Sequence, residues 1–534
     1  MAEIDNALDK DGAEDVSAAE SSLTDDSGKT ETAAVPNAEE LGAMDECVAD
    51  AAVGAEGNIG ETVSEVCEEG SDGRSGVETV QPQGESDKKV SGETAQAVLC
   101  EDETNSVEQG KKKIADASES ETEVSRDKKP KVLTNEEVTG HTAGLWKYKP
   151  VPEDEPEPVP EYINGTYTFS GIKAIAARVR GKKHKHEGTN CDDWYEVANY
   201  GDIIFVAVSD GAGSKKFSRI GARESCKAAI GYMVNSFKTI FEERKDLRRR
   251  LSLELSDPQC MESYGVLAGI VQNSVIKAYE AVESAFYSRS VSKEYSALLN
   301  RDLKLSDLSA TLLLAVMIPI NNETGERLVI SCQIGDGMIT LIDSKGEFSG
   351  SLKLMGVPDS GDFSGETEFL VSPQMKKIES LQSRTKLSRS TADTMLVMTD
   401  GVADDYFPNE TEMLRLYFDL VINGILPKES APGDVSSLTQ QQLRIFKKIP
   451  DPLAYPWVND QSVKVPIQYT KRICDAAGVS LEDIWNDPTI IDLAVFEMDQ
   501  INKDADPGEL LKVWLDNYVE RGSFDDRTLV IVKA

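Results

Sequence analysis

The chain has 534 residues and a formal net charge of −37, with a sequence pI near 4.5. So acidic a chain does not suit a broad electrostatic nucleic-acid binder, because neutralising phosphates takes a basic face. No apolar run approaches the ~18 residues of a membrane span, since the richest, Leu312 to Ile318, stops at Pro319.

In chain order, residues 1–140 hold 36 Asp and Glu against 12 Lys and Arg, and the first aromatic is Trp146. A stretch of that charge without aromatics cannot bury enough apolar surface to offset its ordering entropy, so a disordered acidic tail is expected. Its basic patches, Lys111 to Lys113 and the DKKPK ending at Lys131, read as charge patterning rather than an address. The N-terminus has neither a basic n-region nor an apolar h-region, so a cytoplasmic location is expected, with the nucleus left open. Residues 141–164 form a linker whose PVPEDEPEPVPEY alternates proline with acid, the pattern of an extended, self-repelling spacer. Residues 165–534 are the foldable part, long enough for one large core.

That region opens with strand patterns around 167–179, then DIIFVAVSDG (202–211), a continuous apolar run of the buried-strand type. Helical spacing follows over 221–243 and 263–289. Strands are predicted again at 309–319, 327–337, 338–343, 367–372 and 393–401, and the last at 525–534. Residues 405–515 read as an enlarged helical insertion, either a flap or padding. The order implies an α+β fold with helices covering mostly antiparallel sheets.

Three strands end alike, in Asp210-Gly211, Asp336-Gly337 and Asp400-Gly401, and the acidic pairs Asp192-Asp193 and Asp525-Asp526 stand at strand entrances. One Asp-Gly is ordinarily a turn. Three, with two acidic pairs, gather carboxylates that repel unless a cation neutralises them. With three histidines and no C-x-x-C pair in the chain, an all-oxygen site for Mg²⁺, Mn²⁺ or Ca²⁺ is expected, and no EF-hand loop surrounds these residues. The scattered cysteines read as reduced thiols, Cys191 and Cys332 as buried fillers. No G-x-S-x-G elbow, no arginine six positions after a cysteine and no P-loop is present. Metal-activated water attacking a phosphate ester remains.

The ordered set GTNCDD, VSDGAGS, SAT, IGDG, MTDG and DDRTLVIV resembles the metal-dependent serine/threonine protein phosphatases of the 2C type, the PPM family. The segments GKKHKHEGTNCDDWYEV (181–197) and SGETEFL (364–370) resemble its bacterial-style branch. The resemblance implies a four-layer αββα sandwich and hydrolysis of phosphoserine and phosphothreonine by a water between two Mn²⁺ or Mg²⁺ ions. By the same resemblance Asp210 bridges both ions beside the Gly211 carbonyl, and Asp400 and Asp525 complete the first site. Asp192 and Asp193 serve the second, and Asp336 falls where some members hold a third, weaker ion. Many members carry an arginine four residues before the acidic pair to hold the substrate phosphate. Here that position is Gly188, so His184, Lys185, His186 or Arg178 stands in, His184 with a further leaving-group role open to it. The implied partners are phosphoproteins that a serine/threonine kinase has modified, with neither nucleic acid nor membrane; the oligomeric state stays open. A catalytically weak, phosphoprotein-binding family member is the alternative, disfavoured by the intact set Asp193, Asp210, Asp400 and Asp525.

Overall fold

The computed structural model describes residues 147–356, 368–406, 410–428, 439–448, 463–517 and 524–534. The expected tail, residues 364–367 of SGETEFL and parts of the 405–515 stretch lie outside these. Eleven described strands form two antiparallel sheets. They are β1 Tyr162–Phe169, β2 Ile172–Val179, β3 Trp194–Tyr200, β4 Ile203–Ser209, β5 Leu312–Asn321, β6 Glu326–Ile334, β7 Met338–Ile342, β8 Leu352–Leu354, β9 Thr385–Ser390, β10 Thr394–Met398 and β11 Arg527–Lys533. One sheet runs β1-β2-β11-β10-β7-β8 and the other β3-β4-β5-β6-β9.

Each central strand is a continuous apolar run because it is buried on both faces. Along β4, Ile204, Val206 and Val208 meet the other sheet, while Ile203, Phe205 and Ala207 meet helices. Along β11, Val530 and Val532 face inward between the sheets, and Leu529 and Ile531 face the opposite helical layer. The helices Ser218–Glu243 and Pro258–Ser290 cover the second sheet. The first sheet is covered by Glu410–Ile422, Tyr469–Ala477, Leu481–Asn486, Thr489–Ile501 and Pro507–Asn517. The fold is thus a four-layer αββα sandwich, and the described part of the 405–515 stretch supplies one of its helical layers. Among the described residues no helix is long and apolar enough to cross a membrane.

Three local expectations differ from the structure. The stretch 368–372, expected as a strand, is irregular and runs into the 3₁₀ turn Pro373–Lys376. Its Leu370 is buried and its N–H bonds the Ala310 carbonyl at 2.9 Å, so the apolar side chain docks without a strand partner. A strand that the sequence pattern did not predict, β3, lies between Asp192-Asp193 and β4, so the pair stands at the entrance of β3. The Pro/Glu-rich stretch is bound rather than extended free. Glu155 is buried and pairs with Arg219 at 3.1 Å, while Glu157 accepts from Arg223, Arg289 and Tyr295.

Candidate metal centre

Strand polarity collects the acids. β10 pairs with β11 from Thr394↔Lys533 to Met398↔Leu529, and with β7 from Thr394↔Ile342 to Met398↔Met338. Asp400 after β10, Asp525 and Asp526 before β11, and Asp336 before β7 therefore share one end of the first sheet. In the second sheet Trp194 pairs with Ser209, placing Asp192 and Asp193 beside Asp210. β6 and β7 belong to different sheets and are joined by Gly335 to Gly337, which brings Asp336 to the junction.

Carboxylate oxygens of Asp210, Asp336 and Asp400 lie within 4.8 Å of one another. Asp193 adjoins them: its Oδ2 accepts from the Thr399 hydroxyl at 2.9 Å and the Thr528 hydroxyl at 2.7 Å. Among the described residues no N–H or hydroxyl donates to its buried Oδ1, and the Asp210 carboxyl is its neighbour. Thr311 fixes the Asp210 backbone, its Oγ1 accepting the Asp210 N–H and its own N–H bonding the Asp210 carbonyl, both at 2.8 Å. Gly211 is required by packing: a Cβ there would lie 2.6 Å from the Asp192 carbonyl and 2.9 Å from the Ser218 side chain.

Burial and then mutual repulsion push these carboxyls up. Asp192 rises to about 8 and Asp193 to about 7, each by burial and then by Asp526. Asp210 rises well above its ordinary value by burial and then Asp400, and Asp400 by burial and then Asp336. A cluster that resists ionisation in this way, built of hard oxygen donors, fits divalent Mg²⁺ or Mn²⁺.

His184, Asp525 and Asp526 form a second group, with ligand atoms within 4.8 Å of one another. His184 is 3 % exposed, and its Nδ1–H donates to Asp526 Oδ2 at 2.7 Å. Its Nε2 lies 3.7 Å from Asp525 Oδ1. Burial would lower the imidazole, but Asp526 outweighs it and raises it to about 10. Asp526 is fully surrounded, accepting also from the Gly181 N–H at 2.6 Å and the Asp192 N–H at 2.5 Å. Burial would raise this carboxyl too, yet His184 and the two N–H groups hold it low.

Of the cations suggested to stand in for the missing arginine, three are engaged away from the acids. Arg178 is buried with its guanidinium 4.7 Å from the Trp194 ring centroid. Lys185 pairs with Asp516 at 2.5 Å, and His186 Nδ1 accepts the Lys147 N–H at 3.0 Å. Gly188 itself ends the helix Lys182–Glu187 with φ +81°, a left-handed cap that an arginine would strain. The sequence reading passed over Lys183, whose ammonium lies 4.0 Å from Asp525 Oδ2, beside Gly213 of the loop after Asp210. It also passed over Thr399 and Thr528, and it marked Asp526 only as half of an acidic pair, without a role. The only signal for them is their place inside MTDG and DDRT, next to an acid already marked.

The raised carboxyls set a pH expectation. Between about pH 4 and 8 the folded, metal-free protein holds more protons on Asp192 and Asp193 than the unfolded chain, so stability falls as pH rises. His184 acts in the same direction higher up: its contribution is full below about 6.5 and is lost as pH climbs through about 10. Mn²⁺ should therefore raise the melting temperature, measured against EDTA, more at pH 8 than at pH 5. Equal increments at both pH values would contradict the cluster's electrostatics.

The sequence profile described as protein phosphatase 2C matches residues 180–440. No curated protein sequence matches the chain. Among solved structures, the chain is similar to RsbX in complex with magnesium, at 11 % identity and TM-score 0.24, covering 70 % of this chain and 99 % of that one. It is similar to the serine/threonine phosphatase Stp1 from Staphylococcus aureus at 12 % identity and TM-score 0.29, with 70 % and 99 % covered. The serine-threonine phosphatase 2C from Toxoplasma gondii shares 13 % identity at TM-score 0.30, again with 70 % and 99 % covered. The profile match spans the acid-bearing strand ends from Asp192 to Asp400, so residues 180–440 of the chain match the protein phosphatase 2C family.

Proposed function

We propose that the chain hydrolyses phosphoserine and phosphothreonine esters of proteins at this acidic cluster, using two divalent cations, Mn²⁺ or Mg²⁺. The observation that supports this reading is the convergence of Asp193, Asp210, Asp336 and Asp400 from both sheets on one point. When bound, such cations acidify water and neutralise phosphate charge. Asp210 would be shared between the ions, Asp400 and Asp525 would complete one site, Asp192 and Asp193 would serve the other, and Asp336 would hold a third ion or complete the first. Thr399 and Thr528 orient Asp193, and Thr311 holds the Asp210 backbone, so no ligand needs to reorganise. His184 acts through Asp525 and Asp526, positioning the strand entrance rather than touching substrate. Lys183 supplies the cation that draws the ester phosphate, as a point charge instead of the bidentate guanidinium of an arginine.

Hydrolysis of p-nitrophenyl phosphate and of a phosphothreonine peptide should vanish in EDTA and return with Mn²⁺. Full turnover in excess chelator would overturn the reading. Lys183→Ala should raise KM for the peptide by about tenfold, on the order of 1.4 kcal/mol of binding, with a smaller change in kcat. An unchanged KM would remove Lys183 from the phosphate subsite.

A further inference from the structure

At the other end of the same strands lies a cavity of about 550 Å³ between the helices of the 410–501 stretch, the loops at Ser344 and Asp393 and the end of β11 at Lys533. β7, β10 and β11 each run from this cavity to the acidic cluster. β10 alone separates the two by roughly 15 Å of strand. The volume is that of a small-molecule site.

One wall is aromatic. Tyr417 and Phe418 have ring centroids 5.6 Å apart, and Trp485 lies 6.1 Å from the first and 5.8 Å from the second. The Trp485 indole donates to the Gly346 carbonyl at 3.0 Å, so the wall is tied to the loop opposite and preformed. Val421, Leu426 and Ile491 give an apolar floor, all buried. Of the three lysines that line the cavity, two have carboxylate partners. Lys533 pairs with Asp393 at 2.9 Å and Lys428 with Asp492 at 2.5 Å. Among the described residues no carboxylate pairs with the third lining lysine, the exposed Lys345.

We propose that this cavity binds a small aromatic monoanion, its rings against Tyr417, Phe418 and Trp485 and its single negative charge at Lys345. Aromatic faces reward a flat body, and an ammonium with no carboxylate paired to it rewards an anion. The site is separate from the phosphate chemistry and gives the helical stretch a binding role beyond covering the sheet.

Two probes with the same ring skeleton test it on the full chain: 1-anilinonaphthalene-8-sulfonate, which is anionic, and N-phenyl-1-naphthylamine, which is neutral. The anion should bind at one site, at least about fivefold tighter than the neutral probe in low salt, and salt should erode that preference. Lys345→Glu should abolish the preference while leaving the neutral probe's affinity unchanged. Val421→Phe, which grows into the cavity, should weaken both probes at least tenfold. Turnover of p-nitrophenyl phosphate should be unaltered in both variants, since neither residue is near the acids. Equal affinity for the two probes, or a preference that survives Lys345→Glu, would overturn the assignment. So would a folded Val421→Phe chain that binds both probes as before. If that variant does not fold, the Lys345→Glu comparison decides alone.

Discussion

Asp210→Asn is expected to lower kcat by about two to four orders of magnitude, on the order of 3–5 kcal/mol of transition-state stabilisation. Asn keeps the size, the turn geometry and the backbone bonds to Thr311 at 2.8 Å. What it removes is the charge that the buried carboxyl would share between two cations. A residue serving only as a turn after β4 would tolerate Asn with little loss. Without metal the variant should melt no lower than the parent and can melt higher, because Asp210 is held in the folded state against the repulsion of Asp400 and Asp193. Steady-state kinetics beside melting in EDTA separates these readings. Near-wild-type turnover would end the bridging assignment. Lower metal-free stability would show that the carboxylate also has a structural part.

The acids were legible in the sequence because each closes or opens a continuous apolar strand, and such strands carry their own signal. Asp210, Asp336 and Asp400 follow runs rich in Ile, Val and Leu, and β-sheet polarity then does the gathering. β3 was not legible. Its WYEVANY buries only Tyr195 and Val197 fully, while Trp194, Ala198 and Tyr200 are half-buried against the helices, as befits an edge strand. Asp526 was visible as half of an acidic pair, but its duty depends on His184, 342 residues away, and local pattern carries no such information. The sequence left open which basic side chain stands beside the acids, for a related reason. Lys183, Lys185 and His186 sit on one short helix, and only the three-dimensional placement shows which faces the acids. Composition also misled at the Pro/Glu stretch. Alternating acids do repel in isolation, yet their partners lie more than 50 residues further along, Lys216 in a turn and Arg219, Arg223 and Arg289 on helices.

That stretch sets the second large effect: we place the start of the stable domain at about residue 147, and a chain beginning at Tyr162 should lose about 3 kcal/mol or more relative to one beginning at Lys147. Arg219 is only 1 % exposed. Its guanidinium donates to Glu155 at 3.1 Å, to the Pro156 carbonyl at 2.6 Å and to the Glu157 carbonyl at 3.2 Å, leaving only the Lys216 carbonyl, at 2.7 Å, outside the stretch. Removing residues 147–161 takes away three of four acceptors and the one carboxylate, and an ionised group stripped of its partners costs several kcal/mol unless water replaces them. Water reaches the uncovered side, which keeps the expected loss below the full penalty of a sealed charge. Glu157 adds to the loss. Burial pushes its carboxyl up, but Arg289, Tyr295 and Arg223 together hold it well below the usual range, so its binding favours the charged form. The effect should reach the site as well. The Val159 N–H bonds Asn190 Oδ1 at 3.0 Å, two residues before Asp192, so the shorter chain should also lose turnover on p-nitrophenyl phosphate. Urea unfolding of the two chains measures the stability difference. Arg219→Met in the shorter chain separates its causes: if an unpaired guanidinium is responsible, the substitution restores part of the loss, and in the longer chain it destabilises. Equal stability from both starting points would mean that the stretch is a passive spacer despite its ion pairs, and that surface water solvates Arg219 as well as Glu155 does.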